Sequence, residues 1–365
     1  VGSAFGHAGQ KCSAASLAIV EGALYDDPRF LERVRDAAAT LRVGSATDLG
    51  TDVGPLIEPP GPDLERALTT LEPGERWLLE PTCRSHDRRL WSPGIRMDVR
   101  PGSWFARTEC FGPVLGIIRA DDLDHALEIQ NDTDYGLTAG LHSLDPAEIE
   151  CWIDRAEAGN LYVNRGITGA IVRRQPFGGW KRSSVGPTAK AGGPNYVASL
   201  QRWTDDEQVE LAEVETRFES WWATVGSVEH DATGLAVERN VFRYRPLPGG
   251  VVVRFGAGAT DRQRRLVSAA ARVTGTRLVV GEAANETASA FADRLAELGV
   301  DRCRSVGGPF EPDVVERCHE LGVCVDDADP VGAPEIELPR WRREQAVSVT
   351  MHRHGRIDRA RSGVA

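Results

Sequence analysis

The first residues that could do chemistry are a cysteine and a serine in the glycine-rich stretch Phe5–Ser16, which reads FGHAGQKCSAAS. If a helix begins at Cys12, its N-terminal dipole would stabilise the thiolate, the form of cysteine that acts as a nucleophile. Ser13 and the peptide N–H groups around it could hold an oxyanion. Most free cysteines are buried and serve packing. From this stretch alone, a structural Cys12 is therefore as well supported as a reactive one.

Two later motifs change this balance. Thr108–Val114 reads TECFGPV and Gln175–Gly179 reads QPFGG. Together with GQKCSA around Cys12, and in the same order and spacing, they resemble the nucleophile segment, the cofactor-ribose segment and the end of the substrate loop of the aldehyde dehydrogenase superfamily. Asp52–Ile57, which reads DVGPLI, resembles a further landmark of that superfamily.

Within the superfamily, the sequence is most similar to L-glutamate γ-semialdehyde (1-pyrroline-5-carboxylate) dehydrogenases. The residues that indicate this are Asn164–Ala170 (NRGITGA), the QPFGG motif and Lys190–Pro194 (KAGGP). After residue 204, Glu238–Asn240 and Glu344–Val349 resemble the C-terminal extension of long bacterial proline utilization A proteins. Those proteins also contain a proline dehydrogenase module, which the resemblance implies as a partner on the same polypeptide or on another one.

The resemblance implies a covalent mechanism with NAD as cofactor. Cys12 would attack the aldehyde to give a thiohemiacetal, hydride would pass to the nicotinamide, and water would hydrolyse the resulting thioester. Glu109 would accept hydrogen bonds from the nicotinamide ribose hydroxyls, and Phe111 would pack beside the ribose. From the residues alone, Glu109 could instead be a surface carboxylate at a strand end and Phe111 an ordinary core aromatic.

The resemblance also assigns residues to a small aldehyde substrate that carries a carboxylate. Ser13, Gly169 and Ala170 would hold the α-carboxylate through a hydroxyl and backbone N–H groups, and Phe177 would pack on the aliphatic chain. The alternative for Gly169 and Ala170 is a tight turn on the surface. We also expect a homo-oligomer.

Several parts of the superfamily's site would lie upstream of this sequence. These parts are the glutamate that activates the deacylating water, the dinucleotide-binding fold and the asparagine of the oxyanion hole. Only 11 residues precede Cys12. We therefore expect a C-terminal fragment of such an enzyme. The alternatives are a non-catalytic structural or lid piece, a generic aldehyde dehydrogenase, and a thiol hydrolase that cleaves activated esters at Cys12.

The pattern of elements predicts an α/β fold. Apolar strands alternate with amphipathic helices over residues 1–203, which is typical of a mostly parallel, covered sheet. This region is expected to be the catalytic-domain portion. An acidic connector is expected over residues 204–250. A small Rossmann-like α/β domain is expected over residues 251–365, with strands at Val251–Phe255, Arg277–Val280, Arg302–Val306 and Val323–Val325, and helices at Asp261–Val273, Glu286–Leu298 and Pro312–Leu321.

A glycine-containing turn follows the first strand of the predicted C-terminal domain. Gly256 and Gly258 match the first two glycines of the dinucleotide fingerprint, but Asp261 stands where the third belongs. That third glycine normally allows close packing of helix on strand. The partial match favours a structural α/β domain over a nucleotide site.

The composition excludes several classes of function. A formal charge of −11 and a pI near 5.3 argue against nucleic acid or an anionic membrane as the partner. No apolar run reaches the length of a membrane span. Seven cysteines, an odd number with no CxxC pair, argue against a disulfide scaffold and a zinc site and favour a cytoplasmic location.

Overall fold

The computed structural model describes residues 1–184, 186, 189–354 and 356–357. By their internal contacts these residues form two compact units. The first contains Val1–Glu157 and Leu161–Gly169, and the second contains Ala158–Asn160 and Ala170–Ala365. Both are mixtures of helices and largely parallel strands, which confirms the predicted α/β class. The predicted domain boundaries at residues 203 and 250 stay predictions.

The first unit alternates short helices and strands. Its helices are α1 (Gly2–Phe5), α2 (Gly22–Tyr25), α3 (Pro28–Ala39), α4 (Pro62–Thr69), α5 (Trp104–Arg107), α6 (Leu123–Asn131) and α7 (Pro146–Arg155), with a 3₁₀ turn at Gly6–Gly9. Its strands are β1 (Leu17–Glu21), β2 (Arg76–Leu79), β3 (Gly94–Met97), β4 (Val114–Ala120), β5 (Tyr135–Gly136), β6 (Thr138–Leu141) and β7 (Asn160–Val163), of which the first residue, Asn160, belongs to the second unit.

The main sheet of this unit fixes where the candidate chemistry lies. Its strand order is β1-β4-β3-β2, and β4 is parallel to both β1 and β3. The cysteine segment, Phe5–Ser16, runs directly into β1, and the Glu109 segment, Thr108–Val114, runs directly into β4. Because parallel neighbouring strands begin at the same edge of a sheet, the two segments meet at that edge.

The second unit contains the Rossmann-like sheet. Its helices are α8 (Leu211–Trp221), α9 (Asp261–Thr274), α10 (Ala288–Leu298), α11 (Pro312–Leu321) and α12 (Pro334–Glu337), with short helical turns at Ala198–Leu200, Trp222–Gly226 and Leu338–Trp341. Its strands are β8 (Trp180–Lys181), β9 (Glu238–Arg245), β10 (Val251–Phe255), β11 (Leu278–Glu282), β12 (Arg302–Val306), β13 (Cys324–Asp326), β14 (Arg343–Thr350), β15 (His352–Arg353) and β16 (Arg356–Ile357).

The parallel sheet of the second unit agrees closely with the sequence pattern. Its order is β11-β10-β12-β13, and the bounds of β10, β12 and α11 match the predicted ones residue for residue. Helices α9, α10 and α11 each end at a left-handed glycine, namely Gly275, Gly299 and Gly322. Glycine adopts that conformation at little steric cost, so these helices end where the sequence indicates.

A long antiparallel pair, β9 with β14, was not predicted. It aligns Glu344 with Tyr244 and Ser348 with Asn240. Within it, Glu344–Val349 is a buried run of the second unit. Polar side chains such as Asn240 and Ser348 hydrogen-bond one another inside it, so alternation of apolar and polar residues does not reveal its burial. Within the described ranges, no helix is both long and apolar enough to span a membrane.

A buried ion pair stabilises the sheet of the first unit. Arg96 on β3 is fully buried and pairs with Glu75 through Nε at 3.1 Å and also through Nη2. It donates to the carbonyl of Ala67 at 2.7 Å, and its guanidinium lies 4.6 Å from the centre of the Phe105 ring. Removing the arginine would leave the Glu75 carboxylate buried without its counter-charge.

We therefore expect Arg96→Met to lower the free energy of unfolding by about 3–5 kcal/mol, the usual effect of breaking a buried pair. The matched control is Arg29→Met, because the Arg29 side chain is 81% exposed in its pair with Asp27. An exposed pair contributes about 1 kcal/mol or less. Urea unfolding followed by circular dichroism measures both variants. Equal, small losses would contradict a stabilising role for Arg96.

Candidate active site

Cys12 lies in an exposed turn. It follows the 3₁₀ turn at Gly6–Gly9, and the turn is closed by a hydrogen bond from Ala14 N to Lys11 O at 2.8 Å. The hypothesis that a helix begins at Cys12 is wrong, since the chain continues from this turn into β1. Cys12 is therefore exposed because it lies in this turn. A helix dipole at Cys12 does not contribute to stabilising its thiolate.

The cysteine segment and the Glu109 segment touch backbone to backbone. Gly9 has a φ of +70°, and a Cβ placed on it would lie 2.0 Å from the carbonyl oxygen of Gly112. A Cβ on Gly112 would in turn lie 2.2 Å from a methyl group of Leu64. A side chain at position 9 would therefore separate the two segments, whereas one at position 112 would press against the Leu64 side chain.

Gln10 connects three of the motifs found in the sequence. Its Nε2 donates to the carbonyl of Phe111 at 3.3 Å, and its Oε1 accepts from the backbone N–H of Ile57 at 2.9 Å. It thereby links the cysteine segment to the Glu109 segment and to Asp52–Ile57. Sequence reasoning assigned no role to Gln10, although the residue lies within the GQKCSA motif.

Glu109 and Phe111 are both exposed, and Cys110 between them is buried. Phe111 is 44% exposed and has a φ of +54°, so it is not the core aromatic of the alternative interpretation. Burial raises the pKa of the Cys110 thiol to about 11, which keeps it protonated near neutral pH. The segment thus presents a carboxylate and an aromatic ring to solvent on either side of an inert cysteine.

The turn at residues 164–169 is tied to the cysteine segment through Ser3. The Ser3 hydroxyl accepts from Ile167 N at 3.1 Å, and the Ser3 carbonyl accepts from Ala15 N at 2.9 Å. Gly169, at the end of the turn, is exposed, has a φ of +85° and has no heavy atom within 4 Å of its Cβ position. Ser13, next to Cys12, is only 3% exposed. The first unit therefore gathers Cys12, Ser13, Glu109, Phe111 and Gly169 on connected segments.

The remaining predicted residues belong to the second unit. Ala170 is exposed. Phe177 is half-buried, and its backbone pairs with Ala191 in both directions at 2.9 Å. Gln175 is buried, accepts from Ile171 N at 3.1 Å and donates to Asn240 Oδ1 at 2.8 Å. The Phe177 loop, Gln175–Gly179, is thus fixed at its start and in its middle.

The glycine turn after β10 packs against protein backbone. Gly258 N donates to Gly307 O at 2.9 Å, and Gly256 N donates to Val306 O at 2.8 Å. Gly307 has a φ of +75°, and a Cβ on it would lie 2.0 Å from Ala259 N. The amides that would bind a phosphate in a dinucleotide site are used internally, which supports the structural interpretation of this turn.

Comparison with known proteins gives matches to both parts of the chain. Residues 1–205 match the family model described as "Aldehyde dehydrogenase family". Over 200 residues the chain is 41% identical to a 1-pyrroline-5-carboxylate dehydrogenase of Geobacillus sp. (strain WCH70), covering 54% of this chain and 38% of that relative. The chain thus spans about two fifths of the length of the curated relatives it matches.

Two solved structures are similar as well. Proline utilization A from Corynebacterium freiburgense is 46% identical with a TM-score of 0.84, over 98% of this chain and 37% of that one. Proline utilization A from Bdellovibrio bacteriovorus, inactivated by N-propargylglycine, is 41% identical with a TM-score of 0.50, over 54% of this chain and 20% of that one. The first of these similarities includes the Rossmann-like sheet and the β9–β14 pair.

We expect iodoacetamide to alkylate Cys12 faster than the other six cysteines, because thiolate character and access set the rate. Cys110, Cys303 and Cys318 are buried and should react last. The informative control is Cys83, which is also exposed but donates its thiol hydrogen to the Ser85 carbonyl at 3.3 Å. Peptide mapping by mass spectrometry over time gives the order. Labelling of Cys83 before Cys12 would count against a reactive Cys12.

Proposed function

The chain belongs to the aldehyde dehydrogenase family, and from this premise we propose that it contributes the nucleophile and substrate segments of an enzyme that oxidises L-glutamate γ-semialdehyde to L-glutamate with NAD. The resemblance to glutamate semialdehyde dehydrogenases and to proline utilization A proteins, inferred from the motifs, is confirmed by the relatives. The observation that supports the proposal most is the exposed Cys12 turn, which Gly9 and Gln10 hold against the Glu109 segment.

Cys12 acts as the nucleophile in this proposal. Its sulfur would form a bond to the aldehyde carbon while the aldehyde oxygen gains the thiol proton, giving a thiohemiacetal. Loss of hydride from that carbon to the NAD acceptor, and of the hydroxyl proton to water, would leave a thioester. Water then cleaves the carbon–sulfur bond, which releases the carboxylic acid and restores the thiol. Exposure of the Cys12 turn allows both the aldehyde and the water to reach the sulfur.

Glu109 and Phe111 fit the ribose end of a nicotinamide cofactor. Two carboxylate oxygens can accept hydrogen bonds from vicinal hydroxyls, and the Glu109 side chain is exposed for that purpose. Phe111 has a left-handed backbone, its carbonyl accepts from Gln10, and its ring is 44% exposed, so the ring is accessible for packing beside the ribose. NAD, when bound, supplies the acceptor for the hydride.

A carboxylate anchor explains the choice of substrate. The exposed Gly169 has a left-handed backbone with open space around its Cβ position, and Ala170 follows it directly. Their N–H groups, with the Ser13 hydroxyl, would bind the α-carboxylate, and Phe177 would pack on the aliphatic chain. Charge-assisted hydrogen bonds of this kind are among the strong ones.

The similarity to proline utilization A proteins supports a proline dehydrogenase module as partner, on the same polypeptide or on another one. Such a module would produce the aldehyde that Cys12 consumes. The homo-oligomer and the cytoplasmic location stay predictions from the sequence.

We expect Cys12→Ser to lower dehydrogenase activity by about three orders of magnitude or more, on the scale of other nucleophile removals. The assay uses the protein that holds this chain together with its dinucleotide-binding domain. A serine hydroxyl stays protonated near neutral pH, so the fold should persist while the chemistry stops. Cys83→Ser is the control, because Cys83 is also exposed but lies outside the proposed site. Retained dehydrogenase activity in Cys12→Ser would refute the assignment.

Substrate choice tests the carboxylate anchor separately. Pentanal lacks the α-carboxylate and would leave about two charge-assisted bonds unmade, a loss of roughly 3–6 kcal/mol. The ratio of kcat/KM for glutamate semialdehyde to that for pentanal should therefore be about two to four decades.

Ala170→Asp should reduce this ratio strongly by placing a like charge beside the carboxylate. Ala37→Asp, the same change at an exposed position of α3, should not. Nearly equal kcat/KM values for the two aldehydes would leave a generic aldehyde dehydrogenase.

A further inference from the structure

A lysine is buried behind the Phe177 loop. Lys190 is 1% exposed, and its Nζ donates to Asn160 Oδ1 at 2.8 Å and to the carbonyl of Gly178. Its backbone N–H donates to the buried carboxylate of Glu344 at 2.7 Å. Burial lowers the pKa of Lys190 to about 7 and raises the pKa of Glu344. Burying a charged side chain costs free energy, which the contacts of that side chain must offset.

These contacts converge on the backbone of the Phe177 loop. Asn160 Nδ2 donates to Pro176 O at 2.9 Å, and Asn160 Oδ1 accepts from Gly178 N at 3.2 Å as well as from Lys190. The Phe177 backbone pairs with Ala191, which directly follows Lys190. Three consecutive residues of the loop are thus held by Lys190, Asn160 and Ala191.

The residues around Lys190 are tightly packed. A Cβ on Gly159 would lie 2.1 Å from the Gly178 carbonyl oxygen and 2.9 Å from Lys190 Nζ. A lysine Nζ offers two donors when neutral and three when protonated, so in either state it can bind the Asn160 side chain and the loop carbonyl together. An apolar side chain of similar length would fill the same space without fixing either oxygen.

We propose that Lys190 is a positioning residue that sets the place of Phe177 in the substrate site, with Asn160 as the link between them. The inference rests on the proposed function, in which Phe177 packs on the aliphatic chain of the substrate. Lys190 acts through the loop and does not touch the substrate. Its loss should therefore weaken substrate binding and leave the chemistry at Cys12 unchanged, which raises KM more than it lowers kcat.

The kinetic test is a double-mutant cycle in the protein that holds this chain and its dinucleotide-binding domain. Lys190→Met and Phe177→Ala should each raise KM for glutamate semialdehyde by about fivefold or more, with kcat changed by about twofold or less. The double variant should show the KM of Phe177→Ala alone, because Lys190 acts through Phe177. If the increase in KM of the double variant equals the product of the increases in the two single variants, the proposal is overturned.

The remaining outcomes distinguish a failure of this inference from a failure of the proposed function. A raised KM in Phe177→Ala with an unchanged KM in Lys190→Met overturns the role of Lys190 alone. An unchanged KM in Phe177→Ala overturns the assignment of Phe177 to the substrate, and this inference with it. If Lys190→Met does not fold, Asn160→Ser shortens the link and replaces it in the same cycle, with the same expected and contrary results.

Hydrogen exchange on the 365-residue chain gives a readout that needs no activity. In Lys190→Met the amides of Phe177 and Gly178 should exchange about tenfold faster or more, while those of β14 keep their rates. Lys181→Met, the same change at a half-buried lysine outside the loop, should leave both regions unchanged. Faster exchange throughout β14 in Lys190→Met would show a general structural role and overturn the proposal.

Discussion

The contact between Gly9 and Gly112 is the constraint on which the candidate site depends. The sheet brings the cysteine segment and the Glu109 segment to one edge because β1 and β4 are parallel neighbours. The absence of a side chain at Gly9 lets the two backbones meet. Gln10 then adds directional hydrogen bonds to a contact that is otherwise steric. The Cys12 turn is thus held by the sheet and by close packing.

Buried charge has two different uses in this molecule. Arg96 and Glu75 form a buried ion pair inside the first unit. Arg304 and Glu337 form another in the second unit, with 2.5 Å between Arg304 Nη1 and Glu337 Oε1. Lys190 differs, because its ammonium binds a side-chain amide and a backbone carbonyl instead of a carboxylate. Removing one member of a buried pair of opposite charges leaves the other charge without a partner, whereas a lysine Nζ bound to neutral oxygens defines the position of the groups that carry them.

Much of the fold could be predicted from the sequence because local signals agree with the final structure. Apolar strands such as Val251–Phe255 and left-handed glycines such as Gly322 fix element ends without tertiary information. Local sequence signals do not predict the β9–β14 pair, because polar residues such as Asn240 and Ser348 are typical of exposed positions although here they are buried. At the candidate site, the motifs identified Cys12, but its exposed turn and the link through Gln10 depend on contacts between distant segments.

The turn after β10 shows that a glycine signature and a ligand site are separable. In a dinucleotide fold the glycines expose backbone amides to a phosphate, whereas here the amides of Gly256 and Gly258 donate to the carbonyls of Val306 and Gly307. Installing the missing third glycine at Asp261 would therefore not convert this domain into a cofactor carrier. A phosphate site would first require the loop after β12 to move away from this turn. That movement would break the backbone hydrogen bonds from Gly256 to Val306 and from Gly258 to Gly307.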